Sequence, residues 1–166
     1  MEAGKESTQQ AHGLILGMFG TLAEVREMAI MKWVASTREE ARIILQKIIN
    51  KPLKSRAGID ATLSTNSMEK MLSGKAVDKS VNKEAHFLAA ANLEKLFSNA
   101  IEPFKFLLNP EKNNENYREV RRLYAPMSFG KRIIPVKFTV LVMMNEKEGK
   151  RIYSLEAINV DLDKKE

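Results

Sequence analysis

The first hundred residues carry apolar side chains at helical spacing. Residues 21–36 place them three or four positions apart, at Leu22, Val25, Met28, Ala29 and Trp33. This spacing predicts an amphipathic helix. Ser36 or Thr37, followed by Glu39 and Glu40, is a capping signal for a second helix, which we expect to run to about Asn50 because Pro52 follows.

Two more helices are predicted before residue 103. Residues 66–72 form a short helical stretch that ends before Gly74. Residues 83–100 follow Asn82, a good helix-capping residue, and their apolar stripe is Ala85, Ala89, Leu93, Leu96 and Ala100. Between the second and third predicted helices, residues 58–64 alternate apolar with polar residues, which predicts a short strand.

The apolar period changes to two in the last third of the chain. After a polar surface loop at residues 109–116, three strands are predicted over residues 118–127, 131–144 and 151–160, with turns near Gly130 and Gly149. In the middle strand one face carries Ile134, Val136, Phe138, Val140 and Val142, while Lys137 and Thr139 fall on the other face.

This order of elements predicts an α+β fold in which N-terminal helices pack on a C-terminal antiparallel β-meander. The division of the chain is predicted to be a helical arm over residues 1–36 and an α+β domain over residues 37–166. The methionine-rich stripe of the arm is typical of core packing and also permits a helix–helix contact. A homodimer through the N-terminal helices is therefore one predicted partner.

Charge is concentrated at the start of the predicted meander. The 166-residue chain has a formal net charge of +6 and a pI near 9.5. Between residues 117 and 137 a single acid, Glu119, accompanies the basic residues Arg118, Arg121, Arg122, Lys131, Arg132 and Lys137. This bias favours RNA or another polyanion, or an acidic neutralising protein, as partner.

Composition argues against several other classes. The chain has no cysteine and two histidines, so a disulfide framework or a thiolate metal site is excluded and we expect no metal or cofactor. No run approaches 18 apolar residues, which predicts a protein that does not enter a membrane. The sequence also lacks the nucleophile-elbow, phosphate-loop, dinucleotide and zinc-protease motifs.

Several short motifs occur in a characteristic order. They are Gly58-Ile-Asp-Ala-Thr-Leu-Ser64, the block Lys70 to Ser80 with Ser-Gly-Lys75 and Lys79, His86, Asn92-Leu-Glu-Lys-Leu-Phe97, Arg121-Arg-Leu-Tyr124-Ala-Pro126, Val136-Lys137-Phe-Thr139 and Tyr153-Ser-Leu-Glu156. Over about residues 37–160 this order resembles the small domains attached to large polyvalent proteins of phages and mobile elements. The resemblance implies the barnase/EndoU/colicin/RelE-like nuclease fold. It also implies a cytoplasmic protein of the bacterial host, delivered with phage or mobile-element DNA.

The resemblance implies metal-independent RNA cleavage, as in a toxin, or a relative that has lost this activity. In that chemistry a ribose 2′-OH attacks the adjacent phosphate, which requires a base, an acid and cations around the phosphorane. His86 would be the acid or base, Glu156 its carboxylate partner and Lys75 a cation at the phosphate. The residues expected to bind the nucleic acid are Lys70, Arg121, Arg122, Tyr124, Lys137 and Tyr153.

Each of these residues has a structural alternative. His86 shares a helical stripe with Ala90 and Leu93, so a core position is an equal alternative to catalysis. Glu156 would be solvated if its side of the sheet faces water. Arg121 and Arg122 point to opposite faces of one strand, so at most one of them serves a given site.

The lysines of the helical region have an alternative of the same kind. Lys70, Lys75 and Lys79 would form a solvated basic rim in a region that passes from helix to turn. Three functions therefore stay open at this point. They are an RNA-directed nuclease, a nucleic-acid-binding accessory domain without catalysis, and a protein-interaction domain.

Overall fold

The computed structural model describes residues 15–80, 82–103, 119–145 and 150–160, with the side chains of residues 144, 145, 150–152 and 156 excepted. The helices are α1 (Leu22–Met28), α2 (Arg38–Leu45), α3 (Thr65–Met71), α4 (Gly74–Lys79), α5 (Lys83–Ala91) and α6 (Leu93–Asn99). The strands are β1 (Leu53–Lys54), β2 (Asp60–Ala61), β3 (Glu119–Phe129), β4 (Arg132–Asn145) and β5 (Lys150–Val160). The predicted α+β class is confirmed.

Side-chain caps begin α2 and α5 at the places where the sequence predicted them, whereas α4, which Ser73 caps, was not predicted. Thr37 and Glu40 form a reciprocal capping box at the start of α2, and Asn82 accepts a hydrogen bond from the Ala85 amide at the start of α5. Each such cap satisfies backbone donors that the first helical turn leaves without a partner.

Three predicted helices are shorter than the sequence indicated. One is α2, which ends at Leu45 and not near Asn50. The other two involve a common residue. The helix predicted over residues 21–36 ends at Met28, and residues 33–36 are neither helix nor strand. The helix predicted over residues 83–100 is interrupted at Asn92, whose φ and ψ of −103° and 23° separate α5 from α6. Both departures have one cause, because the Asn92 side chain hydrogen-bonds the backbone of residues 32 and 33.

The C-terminal strands form the predicted antiparallel meander, in the order β3-β4-β5. The tight turn between β3 and β4 contains Gly130 at a φ of 61°, a conformation that glycine adopts without strain. The predicted loop at residues 109–116 and the turn at residues 146–149 lie outside the described residues.

One face of the meander, the inner face, packs on the helices. Its side chains alternate along each strand with those of the opposite, outer face. The buried inner-face residues are Leu123, Ala125, Met127, Ile134, Val136, Phe138, Val140, Leu155, Ile158 and Val160. They join the helices in one hydrophobic core, where the rings of Phe97 and Phe138 meet edge to face at a centroid distance of 5.5 Å.

Both edges of the sheet carry partners from the same chain. At the β3 edge, Ile101 and Tyr124 exchange two backbone hydrogen bonds, and the Ser128 amide donates to the Ala29 carbonyl. At the β5 edge, Thr62 pairs in parallel beside Ser154 through two backbone hydrogen bonds. These contacts occupy backbone groups that would otherwise face solvent.

A second, smaller hydrophobic cluster lies at one end of the outer face. Its buried members are Ile15, Phe19 and Val25, and they pack against Tyr124 and Ile133 of the sheet. The outer face is therefore covered at this end by α1 and the turn before it. The predicted division of the chain at residue 36 stays a prediction. Among the described residues, no helix is both long and apolar enough to cross a membrane.

Candidate nucleic-acid interface

The outer face brings three of the predicted nucleic-acid-binding residues together. In the strand register, Tyr124 lies directly opposite Lys137, and Arg122 lies opposite Thr139. Lys137 also lies opposite Asn159 of β5. Side chains in such cross-strand pairs are about 5 Å apart at their Cβ atoms, so they can bind one ligand together. We call Arg122, Tyr124, Lys137, Thr139 and Asn159 the outer-face cluster.

The outer-face cluster is partly exposed and lacks negative charge. Each of its five side chains has intermediate solvent exposure. Among the side chains that the structure describes on this face of the three strands, none is acidic. A guanidinium, an ammonium, a phenol, a hydroxyl and an amide therefore share one surface, and all of them can donate hydrogen bonds to phosphate or base oxygens.

The end of α4 adjoins this surface at the β5 edge. The Asn159 amide nitrogen donates to the Lys79 carbonyl at 3.3 Å, and the Val160 amide donates to the Ser80 hydroxyl at 3.0 Å. Lys79 is exposed. The last turn of α4 thus forms the margin of the outer-face cluster, and it adds a cation there.

Arg121 points to the other side of β3 and is held by carboxylates. Its guanidinium donates to both carboxylate oxygens of Glu102 at 2.5 Å and to Glu119 at 3.0 Å. These bonds, chiefly those that Glu102 accepts, raise the pKa of the Arg121 guanidinium, although burial lowers it. The expectation that Arg121 and Arg122 face opposite ways is confirmed. A phosphate would have to displace two carboxylates to reach Arg121, so this geometry does not favour the predicted role.

His86 lies in the core and is fully buried. Its Nε2 is 2.8 Å from the Met71 carbonyl oxygen, and its Nδ1 is 2.7 Å from the Ser80 hydroxyl. Because a carbonyl only accepts, the network assigns the proton to Nε2 and makes Nδ1 the acceptor of the Ser80 O–H. Both ring nitrogens are therefore occupied by the protein. The geometry favours the structural alternative for His86 and offers no support for acid–base catalysis.

Burial gives His86 a predictable effect on stability. Desolvation lowers the pKa of the imidazole, Arg38 adds to this effect, and the hydrogen bond to Met71 opposes it. The unfolded chain therefore binds the proton more readily than the folded one. We expect the free energy of unfolding to fall as the pH drops below about 6.5, by up to about 1.4 kcal/mol per pH unit. Urea unfolding of the parent and of His86→Gln across this range measures the effect, and equal slopes in both proteins would contradict it.

The other predicted residues are not members of the outer-face cluster. Lys70 and Lys75 are exposed on α3 and α4, in the helical layer. Tyr153 lies opposite the buried Val142, on the inner face, and packs partly against the core. Glu156 belongs to β5 at the point where its register with β4 shifts, and its side chain lies outside the described residues. The structure does not bring His86, Lys75 and the outer-face cluster together.

Sequence reasoning missed two residues of this surface. Asn159 was not singled out, although its alternation with Ile158 and Val160 was a usable signal. Thr139 was noted only as a neighbour of Lys137. Among the described residues, no group of histidine, cysteine or acidic side chains is placed to hold a metal ion.

Comparison with known families supports one part of the resemblance. The sequence profile described as large polyvalent protein-associated domain 3 matches residues 34–153. The chain belongs to this family. No curated protein and no solved structure matches the chain significantly. The match of this polyvalent protein-associated domain begins just before α2 and ends within β5, so it includes the strands that carry Arg122, Tyr124 and Lys137.

Proposed function

We propose that this domain is an accessory module that binds single-stranded RNA through the outer-face cluster, without acid–base chemistry at His86. The observation that supports the proposal is the position of Lys137 between Tyr124 and Asn159 on adjacent strands, with Arg122 one pair further along the same face. Phosphates contribute most of the affinity of such complexes, and an aromatic ring beside the cations adds a surface for a base.

The buried histidine is the reason to prefer binding over cleavage. A general acid or base must come within hydrogen-bond distance of the proton it transfers. Both nitrogens of His86 already have protein partners, and its side chain has no exposed surface. The outer-face cluster can therefore bind RNA, while His86 stabilises the core.

Lys137→Glu tests the interface. We expect the variant to bind single-stranded RNA about fivefold to tenfold more weakly than the parent, and to lower the salt dependence of log K by about 0.7, because one phosphate contact is lost. Fluorescence anisotropy with a labelled oligonucleotide at several salt concentrations measures both quantities. Circular dichroism confirms that the variant is folded.

Lys54→Glu is the matched control. Lys54 is exposed on β1, which pairs only with β2, so the charge change is the same and its position is outside the meander. Equal losses in both variants would show that net charge alone drives binding and would contradict the proposed interface. In a parallel incubation with excess EDTA, the parent should leave RNA intact. RNA fragments that disappear with His86→Gln would instead establish a nuclease.

A further inference from the structure

Trp33 occupies an exposed position that the packing of the core does not explain. It follows α1 in a segment that is neither helix nor strand, and 41% of its surface is accessible. The indole combines a large apolar ring with a polar N–H, so a tryptophan with this much accessible surface can contact a partner. Trp33 is also the single tryptophan of the chain.

The backbone under Trp33 is fixed by a buried amide. Asn92 is 1% exposed, and its Oδ1 accepts hydrogen bonds from the backbone amides of Lys32 and Trp33 at 2.9 and 2.8 Å. Its Nδ2 donates to the carbonyls of Trp33 and Leu88, each at 2.9 Å. All four bonds of the amide are satisfied inside the protein, so the indole is presented from a rigid support.

Two cations flank the indole. The ammonium of Lys32 is 5.3 Å from the ring centroid, and that of Lys47, in the turn after α2, is 5.9 Å away. Both distances allow a cation–π contact. Because the ammonium groups come from two separate segments, they approach the ring independently of each other, and either one can turn from the ring to a phosphate.

A cavity of about 270 Å³ adjoins this ring. It is lined by Lys32, Trp33, Ala91, Asn92, Glu94, Lys95 and Ser98. Its size is at or below the lower end of the range of about 300–1,000 Å³ that holds a drug-sized ligand. It therefore suits a flat group the size of one base. Glu94 and Ser98 offer polar atoms for the edge of such a group, beside the face of the indole.

We infer that Trp33, Lys32 and Lys47 form a second RNA site, in which one unpaired base stacks on the indole and the flanking phosphates bind the two ammonium groups. This inference rests on the proposed RNA binding and adds to it a surface in the helical layer, apart from the outer-face cluster. Stacking on an aromatic side chain is tolerant of base identity and requires a single strand.

Tryptophan fluorescence reports on this site directly. Titration with a single-stranded oligouridine should quench the emission of Trp33 over the same concentrations that raise the anisotropy of the labelled oligonucleotide. Trp33→Ala should weaken binding about fivefold or more, and Trp33→Phe should retain most of the affinity. Lys32→Ala and Lys47→Ala should each lower the salt dependence. Val34→Ala, at the neighbouring residue with 92% exposure, should change nothing.

The outcomes separate this inference from the proposed function. Oligonucleotide binding with unchanged Trp33 emission, and with parental affinity in Trp33→Ala, would overturn the second site while the outer-face cluster stands. Quenching by acidic peptides but not by oligouridine would assign the site to a protein partner and would also overturn it. An absence of oligonucleotide binding by the parent would reject both proposals.

Discussion

Replacement of His86 by alanine is expected to lower the free energy of unfolding by about 3–5 kcal/mol. The substitution removes a fully buried ring, which leaves a cavity, and it removes the partner of the Met71 carbonyl. The Ser80 hydroxyl loses its acceptor as well. This is among the largest effects expected from one side chain, because the network joins the end of α3, the end of α4 and, through the Val160 amide, the end of β5.

Urea unfolding at neutral pH, followed by circular dichroism, measures this loss. His86→Gln should lose less, because its amide can still donate to the Met71 carbonyl. At low temperature without denaturant, the folded fraction of His86→Ala should bind RNA with the parental affinity. A change in the free energy of unfolding of less than about 1 kcal/mol would contradict the structural role, since surface positions show changes of that size.

Replacement of Arg121 by alanine is expected to cost about 2–3 kcal/mol of stability. The variant leaves the Glu102 carboxylate, which is 7% exposed, without the guanidinium that binds both of its oxygens. A charge left alone in a fully buried pair costs about 3–5 kcal/mol, and the 23% exposure of Arg121 reduces this figure through contact with water. We therefore expect Arg121→Ala to lower the stability of the fold and not to remove a phosphate contact.

A double variant separates a role of Arg121 in folding from a role in phosphate binding. Arg121→Met combined with Glu102→Gln removes both charges, so the pair should recover much of the stability that Arg121→Ala loses. The double variant should also keep the parental salt dependence of RNA binding, in contrast to Lys137→Glu. A reduced salt dependence in the double variant would show that Arg121 binds phosphate after all.

The strands of the meander could be predicted from the sequence because their information is local. In β4 the alternation of Val136, Phe138 and Val140 with Lys137 and Thr139 already separates the two faces. The same alternation placed Arg121 and Arg122 on opposite sides of β3. Which of the two arginines is available to bind phosphate depends on Glu102, which lies 19 residues before Arg121 and accepts hydrogen bonds from it. No periodicity within one strand reveals such a partner.

The misjudged helices show the opposite case. The apolar spacing up to Trp33 suits a helix, but a side chain about 60 residues away, Asn92, takes the backbone amides of residues 32 and 33. Tertiary hydrogen bonds here override a weak local preference. His86 could not be assigned for a similar reason, because its burial depends on Met71, Ser80 and the packing of three elements.

The hydrogen bonds along the edges of the sheet affect how readily the domain aggregates with other chains. An open strand edge is a template on which a second chain, or a neighbouring unit of a long chain, can add its own strand and begin to aggregate. Ile101 and Ala29 occupy positions along one edge, and Thr62 and Ser80 along the other. We therefore expect that the domain resists intermolecular strand pairing, even at a high local concentration of similar units.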